Sequence, residues 1–145
     1  MNLSNMPKAD QQAHDQVIEG NGYYPDLSTA YFIEHFAVPS EYSNKTNVIS
    51  NKLKAAQAEI NQELKKEMLS NGEPLNAQQR LFYQLAVYSK AKASTLLSRL
   101  GNTHRDNAAA QQQASVDNFD YWQHQSTNNV RLLIGLSTTA TVELI

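Results

Sequence analysis

The 145-residue sequence contains no cysteine. That removes disulfides, thiolate metal ligands, iron–sulfur clusters and cysteine nucleophiles, and it fits a reducing compartment. Glycine (5) and proline (4) are scarce. The glycines stand apart, at Gly20, Gly22, Gly72, Gly101 and Gly135, so no phosphate-cradling loop or dinucleotide fingerprint can be assembled from them. No GxSxG or HExxH motif occurs either. Charge is also thin, at 18% of residues against a usual quarter. With 12 basic and 14 acidic groups and a net charge of −2, there is no basic stripe of the kind a duplex-DNA binder uses to displace counterions. No apolar run approaches the roughly 18 residues needed to cross a bilayer. The first residues, Met1 to Gln16, lack the apolar centre of a signal peptide. The expectation is a soluble product of a single domain, with no membrane association.

What fills the gap is amide. Fourteen Asn and thirteen Gln provide an uncharged polar surface, while 41% hydrophobic residues suffice for a modest core. The apolar residues recur at helical spacing. Leu27, Ala30, Tyr31, Ile33 and Phe36 predict a short helix capped by Asp26 or Ser28 and ended by Pro39. Ile49, Leu53, Ala56, Ile60, Leu64 and Met68 lie on one face of a long helix over about residues 43–69, with Gly72 as its stop. Leu81, Phe82, Leu85, Ala86, Tyr88, Ala93, Leu96, Leu97 and Leu100 give residues 76–100 a broad stripe, making this the expected core helix, with Leu85 and Leu97 buried. A fourth helix is expected over about residues 107–136, buried through Ala110, Ala114, Phe119, Trp122, Val130, Leu133 and Ile134.

The two ends read differently. Residues 1–22 hold a single short apolar pair, Val17-Ile18, too little to offset the entropy of ordering, so a mobile arm is expected. Residues 137–145 are rich in β-branched side chains and predict an extended tail that needs a sheet edge or groove to join. The fold class is therefore all-α: an antiparallel bundle of about four helices over residues 23–136, a mobile N-terminal arm and an extended C-terminal tail.

Chemistry is sparse. His14, His35, His104 and His124 do not pair at ligand spacing with one another or with a carboxylate on one helical face. Glu59, Glu63 and Glu67 recur at i, i+4 and i+8. Without a Glu-x-x-His companion the row reads as a solvated mixed-charge face rather than a di-metal site. Arg80, Lys90, Lys92, Arg99, Arg105 and Arg131 are scattered, without interleaved aromatics that would stack on bases. No catalytic residue, metal or cofactor is expected, and the protein is not read as an enzyme. Tyr121 and Trp122 read as core or interface anchors.

Taken in order, several segments resemble a known family. They are Tyr23-Tyr24-Pro25-Asp26-Leu27, the Val38-Pro39 break, Asn61-x-Glu63-Leu64, and Gly72 with Leu75. Tyr83-x-x-Ala86-Val87-Tyr88-x-x-Ala91-x-Ala93, Leu96-Leu97-Ser98-Arg99 and a Val142-x-Leu144-Ile145 terminus follow. From Tyr24 to Ile145, about five-sixths of the chain, the sequence resembles the head-completion proteins (gpL type) of temperate contractile-tailed phages, which are helical head–tail connector adaptors. It departs from them in a shortened connection, Glu73-Pro74-Leu75-Asn76, and in the Ala- and Gln-rich stretch 107–115.

The resemblance implies a structural virion protein at the neck, assembled in the host cytoplasm. It implies a ring of about twelve copies beneath the portal, formed after DNA packaging. The implied partners are the portal protein, further copies of the chain and a downstream stopper or tail-completion protein. Packaged DNA would pass through the lumen without sequence recognition. The implied portal-docking tail comprises Thr139, Thr141, Val142, Glu143, Leu144 and Ile145. The candidate subunit-interface residues are Tyr121, Trp122, Arg99 and Arg131. The alternative is a small helical protein-interaction or regulatory module with no virion role.

Overall fold

The computed structural model describes residues 15–38, 42, 45–67, 74–100 and 108–143, with backbone alone at 66, 67, 98–100, 108–117 and 136–143. The order of elements is β1 (Val17–Ile18), β2 (Leu27–Ser28), α1 (Thr29–His35), α2 (Thr46–Glu67), α3 (Ala77–Leu100) and α4 (Ala108–Glu143). The fold is all-α apart from the two-residue ribbon.

Each helix begins or packs for a local reason. In α1, Ser28 is the N-cap and its Oγ accepts from the Tyr31 N–H at 3.2 Å. In α3, the Asn76 Oδ1 accepts from the Gln79 N–H at 2.9 Å, and the Gln79 Oε1 accepts from the Asn76 N–H at 3.0 Å. This reciprocal capping box satisfies two orphan donors at once. In α2, the stripe Ile49, Leu53, Ala56, Ile60 and Leu64 is buried throughout, as its spacing predicts; Met68 lies outside the described residues.

Side-chain contacts set the directions. Lys52 meets Ser94 while Asn61 meets Tyr83, so α2 and α3 are antiparallel. The Ser126 Oγ donates to the Ala86 carbonyl at 2.9 Å, while Phe119 and Leu97 line one hollow, so α3 and α4 are antiparallel as well. From Ala86 to Leu96, α3 is buried on nearly every side, including the polar Ser89, Lys92 and Thr95. It is the central element, flanked by α2 and α4 and backed by α1.

Two leucines assigned to the core on α3 are exposed instead, Leu81 at 49% and Leu97 at 53%, while Leu85 is half-buried. Leu97 shares the side of α3 that carries Lys90 and Ser94, which floors an open groove. Leu81 lies two turns before the part of α3 that α1 covers. The side chains that fill the interior are Tyr83, Val87 and Ala91. Leu97→Ala is accordingly expected to change stability by less than about 0.5 kcal/mol. Leu53→Ala, at a fully buried position, should cost about 2–5 kcal/mol. Urea denaturation of the two variants side by side checks this.

The ends differ from expectation. Residues 15–22 are docked rather than a mobile arm: β1 pairs antiparallel with β2 in the register Val17↔Ser28 and Ile18↔Leu27. Ile18 is buried, the Glu19 carbonyl accepts from the Gln57 Nε2 at 3.2 Å, and the Asp15 carboxylate accepts from Ser28, Thr29 and Ala30 at the start of α1. Gly20 is required in this turn, since a Cβ there would sit 2.0 Å from the Tyr24 carbonyl oxygen. The rest of the expected arm, residues 1–14, lies outside the described residues.

At the other end, the expected extended tail is helical: α4 continues through Glu143, so residues 137–143 form its last two turns. Extending an existing helix adds one hydrogen bond per residue fixed, and this outweighs the modest strand preference of Thr and Val. Leu144 and Ile145 lie outside the described residues.

Candidate functional site

Three features of the bundle bear on function: an aromatic cluster at its back, a groove along its front, and the exposed side of α4.

The cluster joins α1, α3 and α4. Phe32 and Phe36 lie 5.8 and 5.2 Å, centroid to centroid, from Tyr88 on α3. Phe36 also lies 5.6 Å from Trp122 on α4. The Tyr88 hydroxyl accepts from the Ser28 N–H at 2.9 Å, tying the ribbon to the core helix. Burial raises the Tyr88 phenol above its ordinary value. Tyr24 stacks on Tyr83 at 4.5 Å, and the Tyr83 hydroxyl donates to the Asn61 Oδ1 at 2.6 Å; burial raises Tyr83 more strongly. These phenols stay protonated through neutral pH, Tyr83 as a donor to Asn61 and Tyr88 as an acceptor from the Ser28 N–H. Desolvation moves a phenol up because it penalises the charged form.

The groove lies between α2 and α4, with α3 as the floor of its first hollow. It consists of two hollows that share Glu59. One is lined by Lys52, Lys90, Ser94, Leu97 and Phe119. The other is lined by Gln62, Glu63, Val130, Arg131 and Ile134. Lys90 pairs with Glu59 at 3.1 Å and Glu63 is exposed, while the Glu67 side chain lies outside the described residues. The Lys52 Nζ donates to the Ser94 Oγ at 3.2 Å, and burial lowers the Lys52 ammonium below its ordinary value. Exposed pairs of this kind contribute little to stability.

The candidate interface residues part company. Tyr121 is 53% exposed and meets Trp122 edge-on at 5.0 Å. Trp122 is half-buried against Phe36, so it belongs to the core as well as the surface. Arg131 is exposed and borders the groove beside Glu59 and Glu63. Arg99 lies in the last turn of α3, in the backbone-only part of the helix. Of the tail residues, Thr139, Thr141, Val142 and Glu143 fall on the final turns of α4, again as backbone alone. Sequence reasoning passed over Leu132, which is 51% exposed on α4; its position eleven residues beyond Tyr121, on the same side of the helix, was the available signal.

Among the described residues, no group of three or more His, Asp or Glu could hold a metal ion. His35 meets Tyr31 at 4.2 Å with the rings tilted by 35°, and His124 is exposed on α4. His14 and His104 lie outside the described residues. No described helix is long and apolar enough to cross a membrane. No family model, curated protein or solved structure matches the chain.

Proposed function

We propose that the chain is a structural virion protein of the head–tail connector: a head-completion adaptor whose copies form a ring beneath the portal once DNA is packaged. The reading starts from the ordered resemblance along residues 24–145. The structural observation that carries it furthest is the course of α4. The Ser126–Ala86 hydrogen bond fixes its register against α3. At equal rise, Ala77, the first residue of α3, falls opposite about residue 135 of α4, and α4 continues to Glu143. About two helical turns therefore run past the start of the core helix. They carry the residues that the resemblance assigns to portal docking.

In this reading the C-terminal turns of α4, with Leu144 and Ile145, engage the portal, and the sides of the bundle meet neighbouring copies. The opposite end of the ring receives a stopper or tail-completion protein. DNA passes through the lumen without being read, and the near-neutral composition suits such a passage. The working place is the virion neck, reached from the host cytoplasm. The protein acts by binding, not catalysis, and uses no cofactor.

The test is binding to the portal ring encoded with the chain, comparing the full chain with one ending at Leu136. The full chain is expected to bind and the shortened one to lose binding, with rotational symmetry visible in images of the bound assembly. Normal attachment of the shortened chain would overturn docking through this end. If neither form binds, the reading passes to a helical protein-interaction or regulatory module.

A further inference from the structure

We infer that neighbouring copies of this chain pack front to back, the outer side of α4 from one copy entering the α2–α4 groove of the next. The proposal deepens the ring reading above and rests on it for its setting. The contact itself is argued from the two sides of one helix.

At about 100° per residue, Phe119, Gln123, Val130 and Ile134 share one side of α4, and these are the residues that wall the groove. Taking Gln123 as the middle of that side, Tyr121, Asn128 and Leu132 all fall within about 40° of the opposite side. Among the described side chains of α4, Tyr121 and Leu132 are the two large apolar ones left more than half exposed, at 53% and 51%. The same helix is thus a wall in front and a ridge behind.

The spacing agrees level for level. Tyr121 and Leu132 are eleven residues apart, about 16 Å along the axis. The groove carries apolar side chains of α4 at the same interval, Phe119 in the hollow it shares with Leu97 and Val130 in the hollow it shares with Ile134. If a second copy is related by rotation about an axis parallel to α4, each residue meets its neighbour at its own height. Tyr121 then faces the Leu97–Phe119 hollow and Leu132 faces the Val130–Ile134 hollow. Between the two knobs the ridge carries only amides, Gln125 and Asn128. They lie opposite a stretch of groove where Glu59 and Lys90 already pair, so that couple keeps its partner when the contact closes. Rotation without translation closes a head-to-tail contact into a ring rather than a filament.

The absence of cysteine makes the test direct. Asn128→Cys marks the ridge and Gln62→Cys marks the groove; both positions are exposed. The two full-length variants are mixed at high concentration with a short bis-maleimide linker, and each is also treated alone. Ridge-to-groove dimers are expected in the mixture, at a yield about tenfold above either variant alone. Adding Tyr121→Arg to the ridge variant should return the yield to that background, because it removes one of the few residues expected to carry the contact. Equal yields from the mixture and the single variants, or a yield indifferent to Tyr121→Arg, would overturn the proposal. Cross-linking without portal binding would keep this contact and discard the adaptor reading. A portal-bound ring that never cross-links at these positions would do the reverse.

Discussion

Replacing Lys92 by alanine is expected to destabilise the protein by about 2–4 kcal/mol, although the change removes a charge from the interior. Lys92 is only 6% exposed at the centre of α3, and its ammonium donates to the Ala37 carbonyl. Ala37 lies just past the C-terminus of α1, in the left-handed region at φ 49°. That conformation is costly for a residue with a Cβ. A cation at this end of α1 also complements the partial negative charge of its terminal carbonyls. The alanine variant loses the packed stem and leaves the Ala37 carbonyl without its charged donor. Lys92→Met keeps most of the stem and loses the donor, so its cost should be smaller, about 1–3 kcal/mol. Thermal and urea denaturation separate the two. Equal melting of wild type and Lys92→Ala would mean that the lysine does not hold α1 to the core.

Lys92 also marks the limit of what periodicity reveals. The stripe on α2 could be read directly, since Ile49 to Leu64 face one way and the whole stripe is buried. The stop expected at Gly72 lies outside the described residues, and the Asn76–Gln79 box that opens α3 went unread although it is local chemistry. On α3 the same reasoning weighted the leucines. A helix enclosed on most sides is filled by whatever fits each neighbour, including Tyr83, Ser89, Lys92 and Thr95. Whether Leu97 is inside depends on how far α2 and α4 stand apart, and no residue of α3 encodes that.

The ribbon was hidden for a related reason. Val17-Ile18 is too short to signal a strand. It is ordered by Leu27-Ser28 ten residues on, and by the Tyr88 hydroxyl sixty residues beyond that. The C-terminal residues show the opposite failure, where local strand preference gave way to a helix already under way. For the candidate surface, Tyr121 reads as a core or interface anchor, and it is exposed. Its counterpart Leu132 becomes meaningful only once α4 is placed with one side in the groove and the other turned away.

Phe32→Ala should be strongly destabilising, costing about 3–5 kcal/mol and lowering the melting temperature by about 10 °C. Phe32 has no exposed surface, and its ring meets both Phe36 and Tyr88 at 5.8 Å. With Tyr31 and Phe36, whose rings lie 5.2 Å from Tyr88, it is how seven-residue α1 grips α3. An α-helix this short has little stability of its own, so α1 and the ribbon that precedes it depend on this packing. Loss of the ring leaves a cavity beside Tyr88, whose hydroxyl holds the Ser28 N–H. Tyr88→Phe offers the control: it keeps the aromatic contacts and removes only that acceptor, at about 1–3 kcal/mol. The ordering of the two variants is the test, because a larger loss for Tyr88→Phe would place the main bond between α1 and α3 in the hydrogen bond instead. The same cluster reaches the proposed subunit contact. From Phe32 the rings run through Phe36 to Trp122, and Trp122 meets Tyr121 edge-on. Packing at the back of the bundle thereby sets the stance of the aromatic side chain offered to the next copy.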